Sequence, residues 1–194
     1  MRYHAHRGLL LVFVLGMGLP VGAATISGSA TGLSSHQTLV DFGNNDYSLN
    51  PVTQITDQYA DQGVTFGDTW YYRDGETAAQ GYLQHTTTGV QPGPIYFEQP
   101  VTDVALVITN NGPTTTIASY LDGGLVESFT PATSGSPLYY GFTNTNIDEI
   151  RLTVHAVGTN YNTAIDNIQL VAIPEPATAV MVLAGLPWLL IRRR

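Results

Sequence analysis

The chain has 194 residues with no cysteine and no lysine, and fifteen carboxylates against seven arginines give a formal charge of −8. Lack of cysteine excludes thiol nucleophiles, thiolate zinc sites, iron–sulfur clusters, thioether haem attachment and disulfides, so stability must come from packing or a bound ion. All fifteen carboxylates lie between Asp41 and Glu175, where only Arg73 and Arg151 oppose them, so that stretch is close to −13 and repels nucleic acid and anionic lipid. Cations are its natural counter-ligands, although solubility outside the cell is reason enough for most of these carboxylates.

Residues 1–24 read as a secretory signal peptide. Arg2 and Arg7 form its basic portion, 8–19 its apolar stretch, and Gly22, Ala23 and Ala24 a small-residue cleavage region before Thr25. Cleavage falls after Ala23 or Ala24; an uncleaved N-terminal anchor is the alternative, disfavoured by the short apolar stretch and by Pro20. Residues 25–36 are rich in Ser, Gly and Thr, as in a flexible or edge-pairing lead-in.

The body, 37–172, is long enough for one domain with a real core. Its pattern predicts a strand at 38–42, one short helical turn within 54–62 because Ile55 and Tyr59 are four apart, and strands at 63–67, 69–73 and 82–87. Further strands are predicted at 95–97, 101–109, 116–121, 125–130, 138–142, 150–155 and 164–171. Asp122-Gly123-Gly124 is a strong hairpin signal, since glycine accepts the positive φ that tight hairpin turns need. No segment of the body sustains a helical period. The expected fold is all-β, a two-sheet antiparallel jelly-roll-type sandwich, flanked by an N-terminal signal helix and a C-terminal transmembrane helix.

Four short motifs carry a resemblance: Leu39-Val40-Asp41-Phe42, Gln62-Gly63-Val64-Thr65-Phe66 after Tyr59, Phe97-Glu98-Gln99-Pro100-Val101, and Ala164-Ile165-Asp166-Asn167-Ile168. With these the body resembles lectin-like or galactose-binding-like sandwiches of exported bacterial proteins, in which a second aspartate often stands where this chain has Asn167. The resemblance implies fold more than ligand.

Asp41 and Asp166 each interrupt an apolar strand, one in the first strand of the body and one in the last. Terminal strands of a jelly roll commonly pair, which would bring the two carboxylates together, and like charges in a core are costly unless a cation sits between them. Calcium suits such oxygen ligands, with Asn44, Asn45 and Asp46 able to complete the set. The competing reading is that each carboxylate accepts backbone N–H bonds at a strand end.

Trp70-Tyr71-Tyr72 is the second candidate. Successive strand side chains face opposite ways, so one or more of the three points outward, where an aromatic face can stack on a sugar ring. The alternative has Trp70 and Tyr72 packed in the core and Tyr71 solvated. Tyr139-Tyr140 makes a weaker pair. His36, His85 and His155 have no metal-ligand spacing, and no G-x-S-x-G elbow, H-E-x-x-H helix or phosphate-binding loop occurs. Glu98 and Glu127 could be written as a glycosidase pair, but nothing in their flanks singles them out.

The tail, 173–194, holds three parts in series: Pro174-Glu175-Pro176, an uncharged apolar run at 177–191, and Arg192-Arg193-Arg194. As a helix the run would reach roughly 22 Å, short of the ~30 Å hydrocarbon core, and the arginine stems can snorkel to cover the difference from the cytoplasmic side. The prolines keep the chain ahead of the run extended and accessible. This order of parts resembles the PEP-CTERM sorting signal of Gram-negative bacteria, whose tripeptide Pro174-Glu175-Pro176 matches in full. The resemblance implies a membrane protease of the exosortase type as partner, cutting near the tripeptide after transient residence in the inner membrane. A permanent anchor is the alternative; Pro187 inside the run would cost it about 3 kcal/mol in an unsupported helix.

The expectation is an exported, non-enzymatic cell-surface or extracellular-matrix protein. From the resemblance it stands beside exopolysaccharide or biofilm. The alternative is a carbohydrate-binding, lectin-like module with polysaccharide as partner; a hydrolase has the least support.

Overall fold

From residue 92 to 110 the apolar pattern changes. Ile95 and Phe97 are buried with exposed neighbours between and after them, whereas every residue from Val104 to Ile108 is buried. Alternation marks a strand with one face on a core, and a continuous apolar run marks a strand covered on both faces. Both belong to one strand of nineteen residues, around which the other strands are arranged.

The structure, a computed structural model of the chain, describes residues 23–42, 53–73, 82–86, 92–110, 114–132, 136–155 and 162–173. Its strands are β1 (Ala24–Ser29), β2 (Thr38–Val40), β3 (Val64–Phe66), β4 (Trp70–Arg73), β5 (Tyr82–Thr86), β6 (Pro92–Asn110), β7 (Thr115–Leu121), β8 (Gly124–Phe129), β9 (Leu138–Thr143), β10 (Ile147–Val154) and β11 (Asn162–Ala172), with one 3-10 turn, Ala60–Gln62. The predicted signal helix, Asn44, Asn45, Asp46 and the whole sorting tail from Pro174 lie outside the described residues. Among the described residues no helix is long and apolar enough to cross a membrane.

The strands form a two-layer antiparallel sandwich, as the strand pattern predicts. Along its C-terminal half β6 pairs with β11 and with β9; β2 and β5 lie beyond β11, β4 beyond β5, and β1 beyond β9. Along its N-terminal half β6 pairs with β3 and with β10, followed by β7 and β8. Both layers bury side chains in one core, with Val40, Phe42, Trp70, Leu106 and Ile165 from the first and Phe66, Ile95, Ile117, Ile150 and Leu152 from the second.

One predicted boundary is corrected. The strands expected at 95–97 and 101–109 are one, because Pro100, which has no N–H to donate, falls at the register shift where β6 passes between layers. Its carbonyl accepts the Ile173 N–H at 3.3 Å. The lead-in takes the edge-pairing option: β1 pairs antiparallel with β9.

Elsewhere the local signals are met. Asp122 and Gly123 have φ of 50° and 77°, as a two-residue type I′ hairpin turn requires, and the Asp122 N–H donates to the Asp148 carboxylate at 2.9 Å. Ile55 and Tyr59 are both fully buried, and the short turn after them ends at Gly63 in the left-handed region.

Candidate functional site

The aromatic strand β4 divides by the parity of a strand. Trp70 is fully buried, Tyr72 is buried, and Tyr71 between them is half-buried. The indole N–H of Trp70 donates to the Pro94 carbonyl at 3.0 Å, and its ring meets Phe66 edge-on, extending a cluster with Phe42 and Tyr59. Edge-to-face aromatic packing adds roughly 0.5–1.5 kcal/mol per pair beyond area burial. Trp70 and Tyr72 are therefore core residues, and the reading of either as a glycan contact is corrected; of the three, only Tyr71 faces away from the core. Tyr140 is also buried in the core.

Asp41 and Asp166 are brought together as the pairing of β2 with β11 requires, Val40 standing opposite Ile168. Burial pushes the Asp166 carboxyl above the ordinary aspartate range and the charge of Asp41 adds to this, against hydrogen bonds from the Asn167 and Phe42 N–H groups. The Asn167 N–H donates at 2.7 Å and its side-chain amide at 3.2 Å, with Asn167 at φ 47° in a bulge of β11. Asp166 thus accepts the backbone donors that the competing reading assigns to it. Among the described residues no group of three or more acidic or histidine side chains is placed to hold a metal ion.

The same side of the first layer is covered by the chain itself. Ile168 and Leu170 point into the core, so Gln169 lies on the opposite face, in a row with Ala105 and Gly141. Gln169 is 5% exposed: its carbonyl oxygen accepts the Leu33 N–H at 2.7 Å and its amide donates to the Thr31 carbonyl at 3.4 Å. Gly32, at φ 72°, passes so closely that a Cβ there would meet the Gln169 oxygen and the Tyr139 ring. Tyr139 bonds to Gln169 as well; burial raises its phenol above the usual range, and the charges of Asp166 and Asp41 raise it further.

The opposite outer face, on the second layer, is open. On β10, Ile150 and Leu152 enter the core, so Glu149 and Arg151 stand outward. Register places Glu149 between Tyr96 of β6 and Tyr120 of β7, with Thr65 beyond Tyr96 and Leu125 beyond Tyr120. The adjacent row is Pro94, Arg151, Ala118 and Ser128. Arg151 grips Glu149 with two bonds, Nε to Oε1 at 2.5 Å and Nη2 to Oε2 at 2.9 Å, and its guanidinium lies over the Tyr120 ring, 4.0 Å from the centroid. Hydrogen bonding to Glu149 is the main cause holding the guanidinium above its already high range, so the charge is fixed. Glu149 is 6% exposed, whereas Tyr96 is 42% and Leu125 60% exposed. The result is a face with an exposed Tyr96 and a half-buried Tyr120 either side of a polar pair that offers both donors and acceptors.

No family model matches the chain, and no curated protein matches it. Among solved structures, it is similar to a variant of the family 29 carbohydrate-binding module CBM29-2, at 12% identity over 69% of this chain and 91% of that one, with a TM-score of 0.42. It is also similar to the CBM36-1 domain of a multidomain xylanase from the hindgut metagenome of Trinervitermes trinervoides, at 16% identity, 71% and 98% coverage and TM-score 0.40. A third is a CBM36 module in complex with calcium and xylotriose, at 16% identity, 69% and 99% coverage and TM-score 0.38. Identity at this level transfers no residue role.

Proposed function

We propose that this chain is an exported, non-catalytic glycan-binding protein, and that the open face of Tyr96, Glu149, Arg151 and Tyr120 is where polysaccharide is held. The observation that carries the reading is that row: an exposed Tyr96 ring and a half-buried Tyr120 ring flanking a buried, paired carboxylate, with Leu125 exposed beyond them. Apolar ring faces stack on the C–H faces of sugars, and a fixed donor–acceptor pair between them orients hydroxyl groups, the usual division of labour in a small-molecule site. A matrix role without glycan contact leaves the row without a purpose, so the carbohydrate-binding alternative is favoured over it.

Delivery is proposed from the sequence. The signal peptide exports the body, the PEP-CTERM-like tail holds it briefly in the inner membrane, and an exosortase-type protease cuts near Pro174-Glu175-Pro176 to leave it at the cell surface or beyond. A glycan-binding body and a tail of this kind agree on a place beside exopolysaccharide.

Two measurements test these parts separately. The purified full chain on a glycan array should bind polysaccharide, and silence across neutral and acidic glycans alike would end the binding reading. Intact mass of the extracellular protein should show a chain ending near the tripeptide; a species still carrying Arg194 would refute processing.

A further inference from the structure

The geometry of the open face also specifies a class of glycan; this step rests on the glycan-binding reading and goes further than it. Tyr96 and Tyr120 are partners of the same residue, Glu149, from strands on either side of β10. They are therefore two strand spacings apart, about 10 Å, along a line that crosses the strands. In an extended β-1,4-linked chain each ring is turned over relative to its neighbour. Units n and n+2 then present the same face at a separation close to that of the two tyrosines. Coiled α-linked glucans do not keep that alternation in a straight line.

Charge narrows the class again. Arg151 is the one cation in the two central rows of the face; both of its named bonds neutralise Glu149, and its flat side is taken by Tyr120. A uronic acid would find no unpaired cation there. It would also meet a body whose fourteen carboxylates face only two arginines. Hydroxyl groups suit the face better, since a guanidinium carries five N–H donors and can serve Glu149 while still offering one to a sugar. We infer that the ligand is a neutral, extended β-1,4-linked glycan lying across β6, β10 and β7, with three sugar units as the shortest length that reaches both tyrosines.

Native affinity gels test this with the full chain. Migration should be retarded by hydroxyethyl cellulose, glucomannan or xylan and unchanged by dextran, amylose, alginate or polygalacturonate. In solution a β-1,4-linked hexasaccharide of glucose, mannose or xylose should bind at least tenfold more tightly than its disaccharide. Retardation by alginate, polygalacturonate or an α-glucan in place of the neutral β-linked polymers would overturn the class while leaving glycan binding intact. Equal affinity for disaccharide and hexasaccharide would overturn the crossing geometry. No retardation by any polymer would remove the glycan-binding reading beneath both.

Discussion

The two outer faces of the sandwich each carry tyrosine and a carboxylate, and they differ in what lies on top. Over the first layer, residues 31–33 are tied to Gln169, and Gly32 fits against the Tyr139 ring. Over the second, Tyr96 and Leu125 are left in solvent and Glu149 is buried only by its own neighbours. The difference teaches that aromatic content alone does not mark a binding face. Tyr139 serves as a structural bond on a covered face, and Tyr96 is available on an open one.

Substitutions can break or sharpen this contrast. Trp70→Ala should have the largest effect on folding, about 3–5 kcal/mol, because it empties a fully buried indole site and leaves the Pro94 carbonyl with the Gly67 N–H as its remaining donor. Thermal unfolding would show it, and a small effect would return Trp70 to the surface. Gly32→Ala comes next, at roughly 1–3 kcal/mol, from a left-handed φ that an L side chain adopts only under strain and from the collision with Gln169 and Tyr139. Hydrogen exchange should then quicken across 31–33 ahead of the core; unchanged exchange there would mean that nothing holds the covering segment.

On the open side, Arg151→Ala should cost about 1–3 kcal/mol by leaving the Glu149 carboxylate buried without its partner. Restoring a similar volume without charge through the pair Arg151→Met with Glu149→Gln should recover most of that stability in denaturant melts. Tyr96→Ala should move stability by no more than about 0.5 kcal/mol, the usual range for an exposed position, so any effect on binding is local.

The smallest effect is electrostatic. Because the folded-state pKa of Asp166 is raised, its contribution to stability is fully present below the ordinary aspartate value and is lost as pH rises through the raised one. Asp166→Asn, which keeps an acceptor for the Asn167 and Phe42 N–H groups, should melt higher than the parent at neutral pH, with the gap closing in acid. Calcium that raised the parent's melting temperature and not the variant's would instead support the cation reading of Asp41 and Asp166.

The strands were legible because their apolar alternation and turn residues act locally. Asp122-Gly123 fixes its hairpin by backbone conformation alone, and Ile55 and Tyr59 report their burial through spacing. Pro100 misleads, since a missing N–H breaks a strand only where a ladder bond is needed. The candidate face was half legible: Tyr96 between Ile95 and Phe97, and Arg151 between Ile150 and Leu152, each face outward by parity. Their adjacency was not, because β10 enters between β6 and β7 from more than twenty residues further along the chain, and no local pattern encodes such a neighbour. Trp70-Tyr71-Tyr72 drew attention as three aromatics in a run, yet parity sends two of the three into the core.

The most direct test compares glycan-array binding by the full chain, by the double variant Tyr96→Ala with Tyr120→Ala, and by Tyr71→Ala, with melting temperatures measured alongside. Loss of binding in the double variant at near-parental stability, with Tyr71→Ala binding as the parent does, is the predicted result. Binding that survives in the double variant, or that disappears with Tyr71 alone, would contradict the account.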